Sequence, residues 1–187
     1  SDQWANFSTP GLEPRTNAIG TWANGKMFIW GGNGSRGGLL DGARYDPTTE
    51  TWTPMAPVKP TVQAGSFGGL WTGSEWLLFG SSPQSHRAYD PIADRWRAIS
   101  SSNAPAYLPH LRSVTVWSGS EAIVWNPVSG GARYDPGQNT WTVMSRTNFL
   151  PSGGTYAALW TGAEFFVWGA PQAGGAAGGR YDPTTDR

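Results

Sequence analysis

Cysteine is absent from all 187 residues. That excludes disulfides, thiolate metal sites and cysteine nucleophiles, and leaves the redox compartment open. Charge is scarce: 13 basic and 13 acidic residues cancel, and together they make up only 14% of the chain. A net charge of zero removes any sequence-independent pull toward nucleic acid or anionic lipid. No apolar run approaches the roughly 20 residues of a membrane-spanning helix, and the N-terminal residues lack a signal-peptide pattern. Histidine occurs only as His86 and His110. Glycine (26), proline (15) and tryptophan (12) are abundant instead, and aromatics reach 13%. A disordered chain shows the opposite balance. The length suits one domain, residues 1–187, able to bury a core. The composition describes a soluble, turn-rich, tryptophan-rich β protein.

Internal repetition dominates the sequence. Tyr45-Asp46-Pro47 returns as Tyr89-Asp90-Pro91, Tyr134-Asp135-Pro136 and Tyr181-Asp182-Pro183. Seven residues after each Tyr stands Trp52, Trp96 or Trp141, and the fourth copy places its Trp at 188, one past the last residue. Each copy is led by Trp22-Ala-Asn-Gly25, Trp71-Thr-Gly-Ser74, Trp117-Ser-Gly-Ser120 or Trp160-Thr-Gly-Ala163. Eight residues beyond each leading Trp lies another aromatic: Trp30, Phe79, Trp125 or Trp168. Each copy reads as four short strands joined by tight Gly and Asp-Pro turns, without helical periodicity. One four-stranded sheet per 40 to 50 residues is the pattern of a β-propeller. The blades are read as about 10–55, 56–100, 101–145, and 146–187 with strand 1–9 added.

These residues resemble the kelch repeat in its bacterial form, over nearly the whole chain. The resemblance rests on the Trp-Thr-Gly turn, the Tyr-Asp-Pro turn and the Trp that follows. The Gly-Gly pair that usually closes the second kelch strand is kept only at Gly31-Gly32; the other copies read Gly80-Ser81, Asn126-Pro127 and Gly169-Ala170. The resemblance implies an all-β propeller, with an extracellular or periplasmic setting. It also implies more than four blades to a ring, so that four repeats look like half of one. Residues Ser1 to Phe7, around Trp4, read as a fourth strand without the three before it. The last copy reads as three strands without the fourth. The N-terminal strand is therefore expected to complete the last blade, in cis or in trans. In trans, two chains join head to tail as a homodimer of eight blades; in cis, one chain closes as a four-bladed monomer.

The twelve tryptophans are assigned to packing, because eleven fill the three repeated positions. Trp22, Trp71, Trp117 and Trp160 are expected to be buried between blades, with Tyr45, Tyr89, Tyr134, Tyr181 and Trp4 as further structural residues. Most carboxylates also repeat: Asp46, Asp90, Asp135 and Asp182 in the turns, Glu75, Glu121 and Glu164 after the glycines, and Asp2, Glu50, Asp94 and Asp186 before the outer strand. Only Glu13 and Asp41 escape the pattern. Arg44, Arg133 and Arg180 precede three of the four tyrosines, which favours packing or ion pairs over anion binding. Structural duty outweighs an acid–base pair. Without cysteine, two histidines form no familiar zinc site, and each is expected to be exposed in its loop. The copper-oxidase chemistry of some kelch proteins requires a cysteine-modified tyrosine and does not transfer. Gly32-Asn-Gly34-Ser-Arg-Gly37 matches GxGxxG but joins two strands, where no helix N-terminus receives a pyrophosphate; it reads as a flexible loop.

Strand order places the long, unrepeated loops together on one face, and function on a repeat scaffold sits on such loops. The ligand-binding candidates there are Tyr107, His110, Arg112, Arg146, Phe149, Arg36, His86 and Arg87. The reading is a non-enzymatic kelch scaffold that self-assembles and presents this face to a protein or glycan ligand. It carries no catalytic residue, metal or cofactor, and no affinity for nucleic acid or membrane. A lectin-like module and an enzyme with a site at the central axis are the alternatives.

Overall fold

The computed structural model describes residues 3–4, 6, 11–58, 67–105, 113–147, 155–170 and 177–187. Three four-stranded antiparallel sheets and one three-stranded sheet follow each other along the chain. The first comprises β1 (Ile19–Ala23), β2 (Lys26–Trp30), β5 (Gly42–Asp46) and β6 (Thr51–Pro54), with a small hairpin, β3 (Asn33–Gly34) and β4 (Gly37–Gly38), inserted between β2 and β5. The second comprises β7 (Gly68–Trp71), β8 (Trp76–Phe79), β9 (Arg87–Asp90) and β10 (Arg95–Ala98). The third comprises β11 (Val114–Trp117), β12 (Ala122–Asn126), β13 (Gly130–Asp135) and β14 (Thr140–Val143). The last comprises β15 (Thr155–Trp160), β16 (Phe165–Ala170) and β17 (Ala177–Tyr181).

Repeated chemistry sets the turns. Asn24 and Gly25 both take positive φ between β1 and β2, as a two-residue hairpin turn requires. In the other sheets the turn glycine is Gly73, Gly119 or Gly162, again at positive φ. There the hydroxyl of Thr72, Ser118 or Thr161 accepts a hydrogen bond from the amide three residues on. The Asp-Pro turns are closed by the aspartate itself, as when Asp90 accepts from the amides of Ile92 and Ala93.

Strand register sorts every sheet into two faces, because side chains alternate along each strand. Trp71, Trp76, Tyr89 and Trp96 line up across the second sheet on the face turned to the first sheet. Leu70, Leu77 and Ala88 line the opposite face, against the third sheet. The same alternation joins the third sheet to the fourth, with Ile123 and Trp125 packed toward Tyr156, Phe165 and Tyr181. The three hydrophobic clusters are these three junctions. The first strands of successive sheets pack side by side, β1 on β7, β7 on β11 and β11 on β15. The sheets therefore radiate from one line of inner strands, the all-β propeller arrangement.

One expectation is corrected. Trp22 is 60% exposed, and Trp71, Trp117 and Trp160 are only partly buried. These indoles stand beside the turn at the end of each first strand, at the rim of the junction. The buried positions are instead the strand-two residues and the turn tyrosines Tyr89, Tyr134 and Tyr181. Trp4 belongs to no strand and is fully exposed. Among the described residues the fourth sheet has three strands, with β17 at its edge.

Candidate functional site

The structure describes four of the eight residues expected to form a loop-face site. Tyr107, His110, Arg112 and Phe149 lie outside the described residues. Arg36 is exposed at the tip of the β3–β4 hairpin, and Arg146 is exposed with its guanidinium directed at the Val128 carbonyl, 3.4 Å away. His86 and Arg87, expected in the open, are buried. The imidazole Nδ1 accepts from the Gly80 amide (3.2 Å), so Nε2 carries the proton and donates to the Pro105 carbonyl at 2.8 Å. Burial pushes the His86 pKa down to about 4. The Arg87 guanidinium donates to the carbonyls of Gln84 and His86.

A signal for this burial was present in the spacing. His86 stands three residues before the repeated Tyr, where Gly42, Gly131 and Gly178 stand in the other copies. In those sheets an indole lies against the glycine: a Cβ on Gly42 would come within 2.7 Å of Trp30, and one on Gly178 would clash with Trp168. The second copy has Phe79 in place of the Trp, and the imidazole packs edge-on against it, with ring centroids 5.5 Å apart. The smaller ring makes room for the histidine.

The GxGxxG segment is a hairpin rather than a flexible loop. The Glu13 carboxylate accepts from the amide and hydroxyl of Ser35 in its turn. The other non-repeated carboxylate, Asp41, pairs with Arg15 at 2.9 Å. The repeated carboxylates are also engaged. Glu75 pairs with Arg97, Glu121 with Arg133 at 2.9 Å, and Glu164 with Arg180 at 3.7 Å. Among the described residues no group of three or more His, Asp or Glu is arranged to hold a metal ion.

What this chemistry builds is a latch at each junction. Asp94, Asn139 and Asp186 all sit at left-handed φ just before an outer strand or its equivalent. Each accepts from the tyrosine hydroxyl of its own sheet, Tyr89, Tyr134 or Tyr181. The same oxygen also accepts from a backbone amide of the preceding sheet: Ala56 at 3.0 Å, Ser100 at 2.9 Å and Ser145 at 3.0 Å. The indole of the outer strand returns the contact, Trp96 donating to the Ala56 carbonyl and Trp141 to the Ser100 carbonyl, both at 2.8 Å. Hydrogen bonds from the Tyr181 hydroxyl and the Ser145 amide hold the Asp186 carboxyl below its ordinary pKa, while burial pushes the phenols of Tyr89 and Tyr181 up. An arginine completes two junctions directly: Arg44 reaches the Tyr89 hydroxyl and Pro91 carbonyl, and Arg97 the Tyr134 hydroxyl at 2.9 Å. In the second sheet Ala88 replaces the strand-three arginine, and Arg97, its cross-strand partner, supplies the guanidinium instead.

The two outermost faces carry the same repeated positions without a neighbouring sheet among the described residues. On the first sheet Trp22, Met27, Tyr45 and Trp52 line up across the strands. On the fourth, Leu159, Phe166 and Trp168 are exposed, with Ala157, Gly178 and Arg180 beside them, and they form a contiguous apolar surface. Large exposed apolar patches mark interaction surfaces.

No family model matches the chain. Kelch-like protein 30 of Homo sapiens is 29% identical over 163 residues, 86% of this chain and 27% of that protein. Alpha-scruin of Limulus polyphemus is 24% identical over 163 residues, 77% of this chain and 17% of that protein. A putative F-box/kelch-repeat protein of Arabidopsis thaliana is 26% identical over 88 residues, 47% of this chain and 24% of that protein. The chain thus spans about a quarter or less of the curated relatives it matches. Among solved structures, YjhT superposes with a TM-score of 0.67 at 14% identity, over 96% of this chain and 70% of that one. That likeness is one of fold.

Proposed function

From the premise that this chain is built of kelch repeats, we propose that it is a non-enzymatic scaffold that closes into a ring with a second copy. The long loops are then presented to a protein or glycan ligand. One observation carries the reading. Trp30, Phe79, Trp125 and Trp168 occupy the same repeated position; the first three are 1%, 0% and 5% exposed, and Trp168 is 66% exposed. The residue type is suited to a junction in all four sheets, and three junctions are present among the described residues.

The missing half of the fourth junction is the face that the first sheet presents. Set against the fourth sheet of a second chain, Tyr45 and Trp52 take the places that Tyr89 and Trp96 hold against the first sheet. Arg180, 72% exposed at its side chain, then reaches Tyr45 as Arg97 reaches Tyr134. Repeating this contact twice around a twofold axis gives a ring of eight blades, a discrete particle and not a fibre. Light scattering tests it: the proposal expects twice the chain mass of 20.1 kDa at micromolar concentration. A particle of one chain mass across that range would rule the ring out. Ligand binding, once a ligand is known, is expected to respond to Arg36 and Arg146 on the loop side and not to the Asp-Pro turns.

A further inference from the structure

We infer that the groove between the turns of the third and fourth sheets is a seat for an arginine side chain of a protein partner. The groove is lined by Glu121, Arg133, Trp160, Glu164, Asp182 and Pro183. It lies on the tight-turn side, opposite the long loops, and all of its walls come from one chain. It therefore depends on neither the loop-side ligand nor a second copy.

The first two junctions identify the occupant. In the first, Arg44 on β5 crosses to the second sheet and donates to the Tyr89 hydroxyl at 3.5 Å and the Pro91 carbonyl at 3.2 Å. In the second, Arg97 on β10 crosses to the Tyr134 hydroxyl. The third junction has the equivalent donor, Arg133, on the face of β13 turned to the fourth sheet. It also has the equivalent acceptors, the Tyr181 hydroxyl and the Pro183 carbonyl. Yet the guanidinium does not cross. It is drawn back within its own sheet to Glu121, at 2.9 Å, and its buried Nε is left without a hydrogen-bond partner among the described residues. One residue accounts for the difference. Four residues after the leading Trp the first sheet has Lys26, which pairs with Asp46, so no carboxylate at that position retains Arg44. Glu75 stands there in the second sheet and holds Arg97, but from the outer strand that side chain still spans the junction. In the third, Glu121 keeps Arg133 at home. The Tyr181 hydroxyl donates to Asp186, and among the described residues neither it nor the Pro183 carbonyl accepts from a guanidinium.

Charge and shape fit the same occupant. Three carboxylates, Glu121, Glu164 and Asp182, line the groove against the single guanidinium of Arg133, so the walls are net negative. Asp182 is engaged by the hydroxyls of Thr184 and Thr185, and Glu121 by Arg133. Glu164 is the available one, because its ion-pair partner Arg180 stands 3.7 Å away on a mostly exposed side chain. Trp160, partly buried against the cluster of this junction, supplies an indole, the best aromatic face for a cation. A guanidinium uses all of these together: its planar fork donates to a carboxylate and a carbonyl while its face stacks on the ring. The surplus of carboxylates excludes an anionic ligand.

The test is an NMR titration of the isotope-labelled chain with the peptide acetyl-Gly-Arg-Gly-amide, read at the indole N–H of Trp160 with that of Trp22 as control. The Trp160 signal should move saturably, with a dissociation constant on the order of 1 mM, as a few charge-assisted contacts from one side chain give. Trp22 should not move. The same peptide with citrulline, which keeps the shape and loses the charge, should bind at least about tenfold more weakly, and so should the arginine peptide to Glu164→Gln. Glu121→Ala should release Arg133 to cross to the Pro183 carbonyl, as Arg44 crosses to Pro91, and fill the groove from within. Its response to the peptide should be lost, and adding Arg133→Ala should reopen the groove and restore it. A Trp160 signal that stays still up to about 10 mM peptide, or moves equally with citrulline, would overturn the seat. So would a double variant that binds no better than Glu121→Ala alone, because Glu121 would then be an anchor for the peptide and not the residue that keeps the groove open.

Discussion

The junction around Trp125 and the surface around Trp168 are made from the same repeated residues and have opposite fates. Trp125 packs edge-on against Tyr156, with ring centroids 5.3 Å apart, and is 5% exposed. Trp168 stands on the identical strand position of the next sheet and is open to water. Neither strand propensity nor cross-strand pairing separates them; the difference is a neighbouring sheet. Burial in this molecule belongs to pairs of sheets, as expected of repeats that cannot cover their own faces. Among the described residues, the sheets at the two ends of the array each have one face with no neighbouring sheet.

The largest effect expected from this contrast is in the response to truncation. Trp30→Ala removes a ring packed between Phe67 and Trp96 and should cost about 3 to 5 kcal/mol in urea titration. Trp168→Ala, measured on dilute protein, should cost less than about 1 kcal/mol, as exposed substitutions do. Similar losses from both variants would mean that the last face is covered in solution, and the comparison would fail.

His86 gives the next effect, confined to a complete junction. The folded pKa of about 4 lies below the ordinary value of 6.5. The imidazole is neutral in both states above pH 6.5. Between 6.5 and about 4 the unfolded chain takes up a proton that the folded chain refuses, so stability falls as pH falls. The proton uptake confined to the unfolded chain corresponds to roughly 3 kcal/mol over that window. His86→Gln should flatten this part of the stability profile measured by denaturant titration at successive pH values. A profile with unchanged slope would show that His86 is not the group responsible.

The architecture was legible in the sequence because its turns repeat. Asn-Gly, Thr-Gly and Asp-Pro fix where strands reverse, and four copies fix the register from one sheet to the next. The packing or ion-pair role of Arg44, Arg133 and Arg180 was legible too: Arg44 reaches the Tyr89 hydroxyl, and Arg133 and Arg180 pair with Glu121 and Glu164. Arg97 was not among them. Exposure was not legible. Trp22 and Trp71 look alike along the chain, as do Trp125 and Trp168, because period-2 patterning identifies a face and not what lies opposite it. His86 was misread for a different reason: a polar residue between strands reads as loop, and only its alignment with Gly42, Gly131 and Gly178 marks it as the residue that meets the strand-two aromatic. The latch position was visible as a repeat at Asp94 and Asp186, though not at Asn139, but its bridge to the preceding sheet depends on an amide some 40 residues away in sequence.

The smallest effect concerns the repeated arginine and tests the comparison most finely. Arg133 is largely buried at a complete junction, 2.9 Å from Glu121, and Arg133→Ala should cost about 2 kcal/mol by leaving that carboxylate without its partner. Arg180 is the same residue on the open face, 3.7 Å from Glu164 and mostly exposed. Exposed ion pairs at such distances contribute about 0.5 kcal/mol or less. In dilute protein, therefore, Arg180→Ala should be close to silent in denaturant titration. With rising protein concentration its effect should grow, because the guanidinium acquires the Tyr45 hydroxyl of a second chain as the ring forms. Wild type and variant should then diverge in apparent stability over the concentration range where scattering shows two chain masses. A constant offset at every concentration would place Arg180 outside the interface and leave the open face of the last sheet to some other partner.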